Sequence, residues 1–331
     1  MKNRYRCRLL GTTILAIVGA CIALYALLVE RTRVQIDRFT LQIDKPGLPP
    51  EGVTVLHLSD FHFRGSGHVQ ARKVARLRRL LAQERYGLVA LTGDLLHDIP
   101  GLPVALALVE TLKPRFGAFS CPGNHDYREY SVWGVFEQTW QEGKSSSAPG
   151  IADAKEIARR LLDFVRKVLR NELVRLPVAD NDVPAAHVQL RARGVEPLVN
   201  RAVHVQAGEM DLWVAGIDDL TEGQPDLASA IASVPESAPL ILLSHNPDVW
   251  LDPQVERADL VLSGHTHGGQ IRLPLVGAVH TQGTHLTRRR PAGWFRRGQT
   301  HMFVSRGLGE SIPLRFGVRP QAALIRLIPS P

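Results

Sequence analysis

From Val53 onward the chain alternates short apolar runs with segments of helical period, and five of the runs stop abruptly at polar residues. VTVLHL gives way to Asp60 and His62, LVALT to Gly93 and Asp94, GAFSC to Asn124, His125 and Asp126, LILLS to His245, and LVLS to His265 and His267. Unbroken Val/Leu runs bounded by turn residues are the pattern of strands buried on both faces. The periodic segments His68 to Tyr86 and Pro103 to Lys113 predict helices between the first three, so the chain reads as a layered α/β core. Open α/β sheets hold their ligands beyond the carboxyl ends of strands, which is where these polar residues converge despite their distance in sequence. Val203 to Gly216 predicts a hairpin, MFVSRGLG and QAALIRLI predict two later strands, and no internal repeat is present.

Two segments break the pattern. Between Tyr127 and about Asn200, GKSSSAPG reads as a link, and Ile151 to Leu176 repeats apolar residues at helical spacing through Ile157, Leu161, Val165, Val168 and Leu169. Lys155, Arg159, Arg160, Arg166, Lys167 and Arg170 occupy its other faces. This predicts a helical cap or insertion over about 128–200, either lying on a bilayer surface or packed on the core with a solvated basic face. At the start, Leu9 to Val29 is 21 residues without a charge. At about 1.5 Å per residue that length spans a bilayer core of roughly 30 Å, so residues 1–30 are expected to be a transmembrane anchor and 31–331 the folded domain. A cleaved signal peptide and a lipoprotein box at Val18 to Cys21 are the alternatives. Lys2, Arg4, Arg6 and Arg8 before the span against Arg31, Arg33 and Arg38 after it lean only slightly toward a domain outside, and the face of the membrane stays open.

Composition adds limits rather than identity. With 44% hydrophobic and 22% charged residues among 331, the chain has the material for a sizeable core. Cys121 is the one cysteine outside the anchor region, so the folded part holds no intramolecular disulfide. The net charge of +8 is dispersed and lacks interleaved aromatics, which argues against nucleic acid as a partner and suits an acidic membrane surface equally well. Nothing in the sequence signals an oligomeric state.

The candidate chemistry lies in the strand ends. Residues i and i+2 of a strand face one side, so if the chain stays extended past Ser263, His265 and His267 point at one place. That suits a metal, although a polar loop with solvated histidines carries the same letters. Taken singly, Asn124 and Asp126 read as turn formers, Gly93-Asp94 as a turn, and Asp60, His62 and His245 as caps or loop residues. In order they spell D-x-H, G-D, G-N-H-D, a lone His and G-H-T-H, and in this series the chain resembles the calcineurin-like metallophosphoesterases from about Val53 to Leu327. The resemblance implies a layered β-sandwich flanked by helices and two divalent metals, with Asp60, His62, Asp94 and His267 on one and Asp94, Asn124, His245 and His265 on the other. Asp94 would bridge them, His125 would protonate the leaving oxygen and Asp126 would orient His125.

GHTHGGQIRLP, SRGLG and RPQAALIRL together resemble a bacterial branch holding phosphodiesterases and a membrane-associated UDP-2,3-diacylglucosamine hydrolase of lipid A synthesis. It implies a lipid or small-molecule phosphoester substrate at the bacterial cytoplasmic membrane. A broad phosphodiesterase of the cell envelope and a non-catalytic metal-binding scaffold are the other readings. Mixed imidazole and carboxylate ligands suit Mn²⁺, Zn²⁺ or Fe, and the resemblance favours Mn²⁺. Arg306 is a candidate phosphate contact. His57 reads as a core histidine, Asp218 and Asp219 as turn residues, and His68, His97, His187, His204, His280, His285 and His301 receive no role.

Overall fold

A computed structural model of the chain describes residues 13–14, 17–65, 67–131, 159, 162, 166–167 and 176–331. Its strands are β1 (Gln35–Ile43), β2 (Val53–Leu58), β3 (Leu88–Thr92), β4 (Gly117–Cys121), β5 (Arg128–Tyr130), β6 (Pro177–Asp180), β7 (Val195–Pro197) and β8 (Arg201–Ala207). They continue with β9 (Met210–Gly216), β10 (Leu240–Leu243), β11 (Leu260–Ser263), β12 (Arg272–Leu273), β13 (Gly277–Ala278), β14 (Gly293–Arg297), β15 (Thr300–Val304) and β16 (Gln321–Pro329). Beyond an N-terminal helical stretch, the α-helices include α1 (His68–Leu81), α2 (Leu102–Val109), the single turn α3 (Asn124–Tyr127), α4 (Val183–Arg191) and α5 (Leu227–Ile231).

Two sheets face each other. The first runs β1-β16-β2-β3-β4-β7 and the second β14-β15-β11-β10-β9-β8. Strands β2, β3 and β4 are parallel, with Leu56 opposite Val89 and Val89 opposite Ala118, and β9, β10, β11 and β15 are parallel in the other sheet. Alternation along each strand divides its side chains between two cores. Val53 and Val55 of β2 meet Ile241, Leu243, Leu260, Leu262 and Phe303 between the sheets, whereas Leu56 and Leu58 turn outward beneath α1 and α2. On the far side, Leu240, Leu242 and Val261 are covered by α5 and Trp250. Because each central strand is covered on both faces, its apolar run is unbroken, and each fully buried Val or Leu contributes about 1.5–3 kcal/mol. The mixed α/β architecture, the hairpin β8–β9 and the C-terminal strand agree with the sequence pattern.

Several boundaries differ. α1 ends at Leu81 rather than near Tyr86, because the chain must turn to thread Gly87 between Val53 and Phe116, where a Cβ would stand 2.8 Å from each. β15 stops at Val304, which puts SRGLG in a loop. Within the stretch expected as an insertion, β7 is an edge strand of the first sheet, paired with β4, and α4 precedes it, so that end of the stretch belongs to the layered core. VEP is too short and too proline-bound to announce a strand. Apart from isolated residues, Ile151 to Leu176 lies outside the described residues.

The expected transmembrane helix is not borne out: among the described residues no helix is long and apolar enough to cross a membrane. Part of the expected span, residues 9–12 and 15–16, lies outside the described residues. Residues 17–24 are helical and run into a π-helical turn, Tyr25–Val29, in which Ala26 is buried while Leu27, Leu28 and Val29 are exposed.

Leu243 tests the two-face packing. It is fully buried between the sheets, so Leu243→Ala is expected to lower unfolding stability by about 2–5 kcal/mol in urea titration. A loss under about 1 kcal/mol would mean that the sheets do not pack as described.

Candidate metal centre

The carboxyl ends of β2, β3, β4, β10 and β11 open onto one region, and each delivers side chains to it within four residues of the strand's last position. Asp60, His62, Asp94, Asn124, His125, His245, His265 and His267 are all buried. Donor atoms of Asp60, His62 and His267 lie within 4.8 Å of one another, as do those of Asp60, Asp94 and His245.

The centre is organised around the Asp94 carboxylate. Its Oδ1 accepts the backbone N–H of His125 at 2.8 Å. Its Oδ2 lies 3.2 Å from His62 Nε2 and 3.2 Å from His245 Nε2, so one oxygen is shared between two imidazoles. The Nδ1 of His245 meets the Thr92 carbonyl at 2.8 Å, and because a carbonyl only accepts, that nitrogen carries the proton. In the neutral ring Nε2 then presents a lone pair to the centre. His265 Nδ1 stands 3.1 Å from that same Nε2, and His267 Nε2 lies 3.8 Å from Asp60 Oδ1. Asp60 Oδ1 accepts the His265 N–H at 2.9 Å, which ties the β2 loop to the β11 loop.

Charge follows from this crowding. Burial works to raise Asp94, but His245 and His125 hold it well below the usual carboxylate range. Burial likewise opposes protonation of His245, and Asp94 outweighs it, lifting that ring to about 10. Burial raises Asp60, and burial with His62 beside it keeps His267 well below the usual histidine range. Among the described residues, Asp60 Oδ2, both ring nitrogens of His62 and His267 Nδ1 are buried without a hydrogen bond. A buried polar atom left so costs about 1–3 kcal/mol, and a set of carboxylate and imidazole donors in that state is what a divalent cation satisfies. The residues fit a two-metal site.

The backbone reaches this arrangement under strain. Asp60, His62, Asp94, His265 and His267 all have positive φ, between 44° and 68°. The two histidines of His-Thr-His therefore do not arrive by strand alternation. β11 ends at Ser263 and the chain coils through consecutive turns, so the extended geometry expected from the sequence is corrected while the convergence stands. Glycine makes the close approach possible. A Cβ on Gly93 would stand 2.5 Å from the Gly123 nitrogen, and one on Gly264 would collide with Ser59 Oγ and Asp60 Oδ2.

Other expected residues divide. Both oxygens of Asp126 accept backbone N–H groups, Oδ1 from Leu95 at 2.9 Å and Oδ2 from Asp94 at 2.8 Å and Gly123 at 2.9 Å. Its carboxylate thus joins two loops. Burial with Asp94 nearby pushes it up to about 7, against the pull of the Gly123 and Leu95 amides. The His125 ring stands edge-on to His62, centroids 4.4 Å apart, and to Tyr130 at 4.8 Å. Arg306, a candidate phosphate contact, is engaged by other partners: its guanidinium pairs with Asp37 of β1 at 2.8 Å and donates to the Arg319 carbonyl. His57 is the neutral core histidine expected, bonded to Thr92 Oγ1 at 2.8 Å and lowered to about 3 by burial. Asp218 and Asp219 cap their own loop by accepting N–H groups of Asp219, Gln224, Thr221 and Glu222.

One site residue was missed. His97 is buried, stacks on His125 with centroids 5.4 Å apart, and has a donor within 4.8 Å of those of His62 and His125. The signal was its place three residues after Asp94, on a segment that a bridge between Phe63 and Leu96 keeps beside the β2 loop.

Comparison with known proteins agrees with this geometry. The family profile for calcineurin-like phosphoesterases matches residues 53–269. The uncharacterized metallophosphoesterase YkoQ of Bacillus subtilis is 26% identical, covering 85% of this chain and 87% of its own. The phosphodiesterase YaeI of Escherichia coli is 34% identical over 42% of this chain and 50% of its own. The UDP-2,3-diacylglucosamine pyrophosphatase LpxG of Chlamydia trachomatis is 26% identical over 91% of this chain and 92% of its own.

The shared oxygen of Asp94 sets a measurable difference. Asp94→Ala removes a donor facing both His62 and His245, whereas His265→Ala removes one beside His245 only. Elemental analysis after manganese or zinc loading is expected to show the larger metal loss for Asp94→Ala. Equal losses would contradict a shared carboxylate.

Proposed function

The chain belongs to the calcineurin-like phosphoesterase family and is a metal-dependent phosphoester hydrolase, and from that premise we propose which residues do its chemistry and on what class of substrate. Asp60, His62, Asp94 and His267 hold one divalent ion, and Asp94, Asn124, His245 and His265 the other, with Mn²⁺ the first candidate and Zn²⁺ or Fe the alternatives. The observation that carries this reading is the single Asp94 oxygen standing 3.2 Å from two imidazoles. Bound divalent ions supply charge neutralisation for the phosphoryl oxygens and a water acidified toward neutral pH. The chain supplies the rest. The Thr92 carbonyl fixes the His245 tautomer, the His125 N–H keeps Asp94 Oδ1 occupied so that only Oδ2 is offered, and Asp126 locks the two loops that carry them. Asp126 is accordingly a positioning residue. The His125 ring, edge-on to His62, is the group that gives a proton to the leaving oxygen.

We propose further that the substrate is a lipid-linked phosphoester, with a diphosphate such as UDP-2,3-diacylglucosamine as the leading example. LpxG, similar over nearly its whole length, supports that example. The surface beside the site supports a lipid partner. After His267 the chain enters the β12–β13 hairpin, which exposes Leu273 of β12 and, at its tip, Leu275 and Val276. Arg272 lies at its base, where its side chain donates to the Arg289 carbonyl, and the Arg288 carbonyl accepts from Ala278. Segment 315–317 links this hairpin to the exposed apolar helix, since Arg315 N–H donates to Ala26 and Phe316 bridges Ile271. Exposed leucines beside a run of arginines suit an anionic bilayer surface.

Replacing His125 separates binding from chemistry. His125→Ala is expected to keep most of the metal and lose about 10²–10⁴-fold in kcat. The loss should be smaller for a p-nitrophenyl diester, whose leaving group hardly needs a proton. Equal losses for good and poor leaving groups would remove His125 from this role.

The lipid reading has its own test. Leu275→Asp with Val276→Asp is expected to leave the fold intact and to weaken co-sedimentation with phosphatidylglycerol vesicles. Undiminished vesicle binding would favour a phosphodiesterase of soluble esters.

A further inference from the structure

Beside the metal centre lies a cleft that the motif residues do not account for. It has a volume of about 90 Å³, His62 forms one wall, and Arg31, Arg64, Gln70, Lys73 and Glu310 line the others. A liquid water occupies about 30 Å³, so the space is of the size of one phosphoryl group.

Its charge is unbalanced. Glu310 is buried and faces three cations, Lys73 Nζ at 2.5 Å, Arg31 at 3.2 Å and Arg315 Nε at 3.3 Å. One carboxylate cannot neutralise three, and Arg64, which also feels Asp98 and Glu129, adds a fourth cation to the lining. Arg31 Nε is buried without a hydrogen bond among the described residues. Arg64 forms no salt bridge among the described residues, yet its backbone is held at both groups: its N–H donates to Gln70 Oε1 at 2.9 Å and its carbonyl accepts from Gln70 Nε2 at 2.8 Å. A purely structural ion network consumes its donors. This one places an exposed arginine, its backbone held by Gln70, and a spare N–H on the lining of a small cleft that shares His62 with the metal centre.

We propose that this cleft is a subsite for the second phosphoryl group of the substrate, and that Arg64 there selects pyrophosphodiesters over simple phosphodiesters. The proposal rests on the phosphoesterase reading of the metal centre and narrows it. With one phosphorus at the metals, the neighbouring phosphoryl oxygens of a diphosphate reach toward Arg64 and Arg31. A simple diester has nothing to place there. Guanidinium-to-phosphate hydrogen bonds are among the strong ones, because both partners are charged.

Inorganic pyrophosphate and orthophosphate are direct probes, measured by calorimetry on the metal-loaded full chain. The wild type is expected to prefer pyrophosphate, and Arg64→Ala to cut that preference by about tenfold or more, the scale of a lost hydrogen bond to a charged group. Arg64→Lys should restore part of it, and Gln70→Ala, which frees the Arg64 backbone, should lose a smaller share. The same variants should raise KM for a nucleotide-sugar diphosphate more than for a bis-p-nitrophenyl diester. An unchanged pyrophosphate preference in Arg64→Ala overturns the proposal, as does a parallel loss for both anions. Because the calorimetric arm needs no turnover, a wild type that bound both anions but hydrolysed neither ester would count against the catalytic reading and leave the subsite standing.

Discussion

The Asp94 carboxylate is buried to 1% exposure, and everything around it is arranged to keep it charged there. An isolated carboxylate in such a place would take up a proton rather than bear the desolvation cost. Here the His125 N–H and the rings of His62 and His245 hold it ionised against that cost. These partners come from β2, β4 and β10, so the carboxylate fixes the loops of both sheets at once. Asp126 extends the effect by accepting from Gly123, Asp94 and Leu95, which joins the loop after β4 to the loop after β3. The separation of the sheets at their carboxyl ends is thereby set by a hydrogen-bonded charge, and the Leu and Val side chains between them fill the remaining space.

That arrangement strains the chain. Residues at positive φ other than glycine cost on the order of 1–3 kcal/mol each in unusual settings, and five of them surround one centre. They persist because each is held by its neighbours. Asp60 N–H donates to Gly93, His62 N–H to Asp94, Leu308 N–H to Ser59, and Gly309 N–H to the Asp60 carbonyl. Strained residues thus bond to one another's backbones, and a change in one displaces several. The cost is borne by strands whose burial on two faces supplies stability in excess.

This division explains what could be read from the sequence. Burial on both faces forces unbroken apolar runs, and unbroken runs make the polar stops at Asp60, Asp94, Asn124, His245 and His265 conspicuous, so the fold class and the convergence were legible. Side-chain direction beyond a strand end was not. The alternation rule holds only while the backbone is extended, and His265 and His267 sit in turns at positive φ. Arg306 looked available because the sequence does not display Asp37, its partner across 269 residues. His97 was passed over because a histidine three residues beyond a motif looks like any loop residue until the β2 loop is laid against it. The glycines of SRGLG, by contrast, have a purpose the letters hid: a Cβ on Gly307 would stand 2.7 Å from that of Asp60.

The loop from Ser305 to Gly317 connects features that would otherwise be separate. Arg315, fully buried, donates to the carbonyls of Arg306, Gly307 and Gly309 and so holds the turn that presses on Asp60. Two residues later than Arg306, Leu308 donates to Ser59, and Ser311 Oγ lies 3.0 Å from His267 Nε2. Glu310 reaches the other way, to Arg31 after the N-terminal helix and to Lys73 of α1. Removing one member of a buried ion pair leaves an uncompensated charge and typically costs about 3–5 kcal/mol, so these links resist independent movement. The apolar helix therefore cannot tilt without pulling Arg31 and Glu310, and Glu310 lies one residue from the serine that meets His267. The charge of the cleft and the geometry of the candidate ligands are thus carried by one stretch of backbone, which binds the N-terminal helix, α1 and the loop after β11 into a single unit.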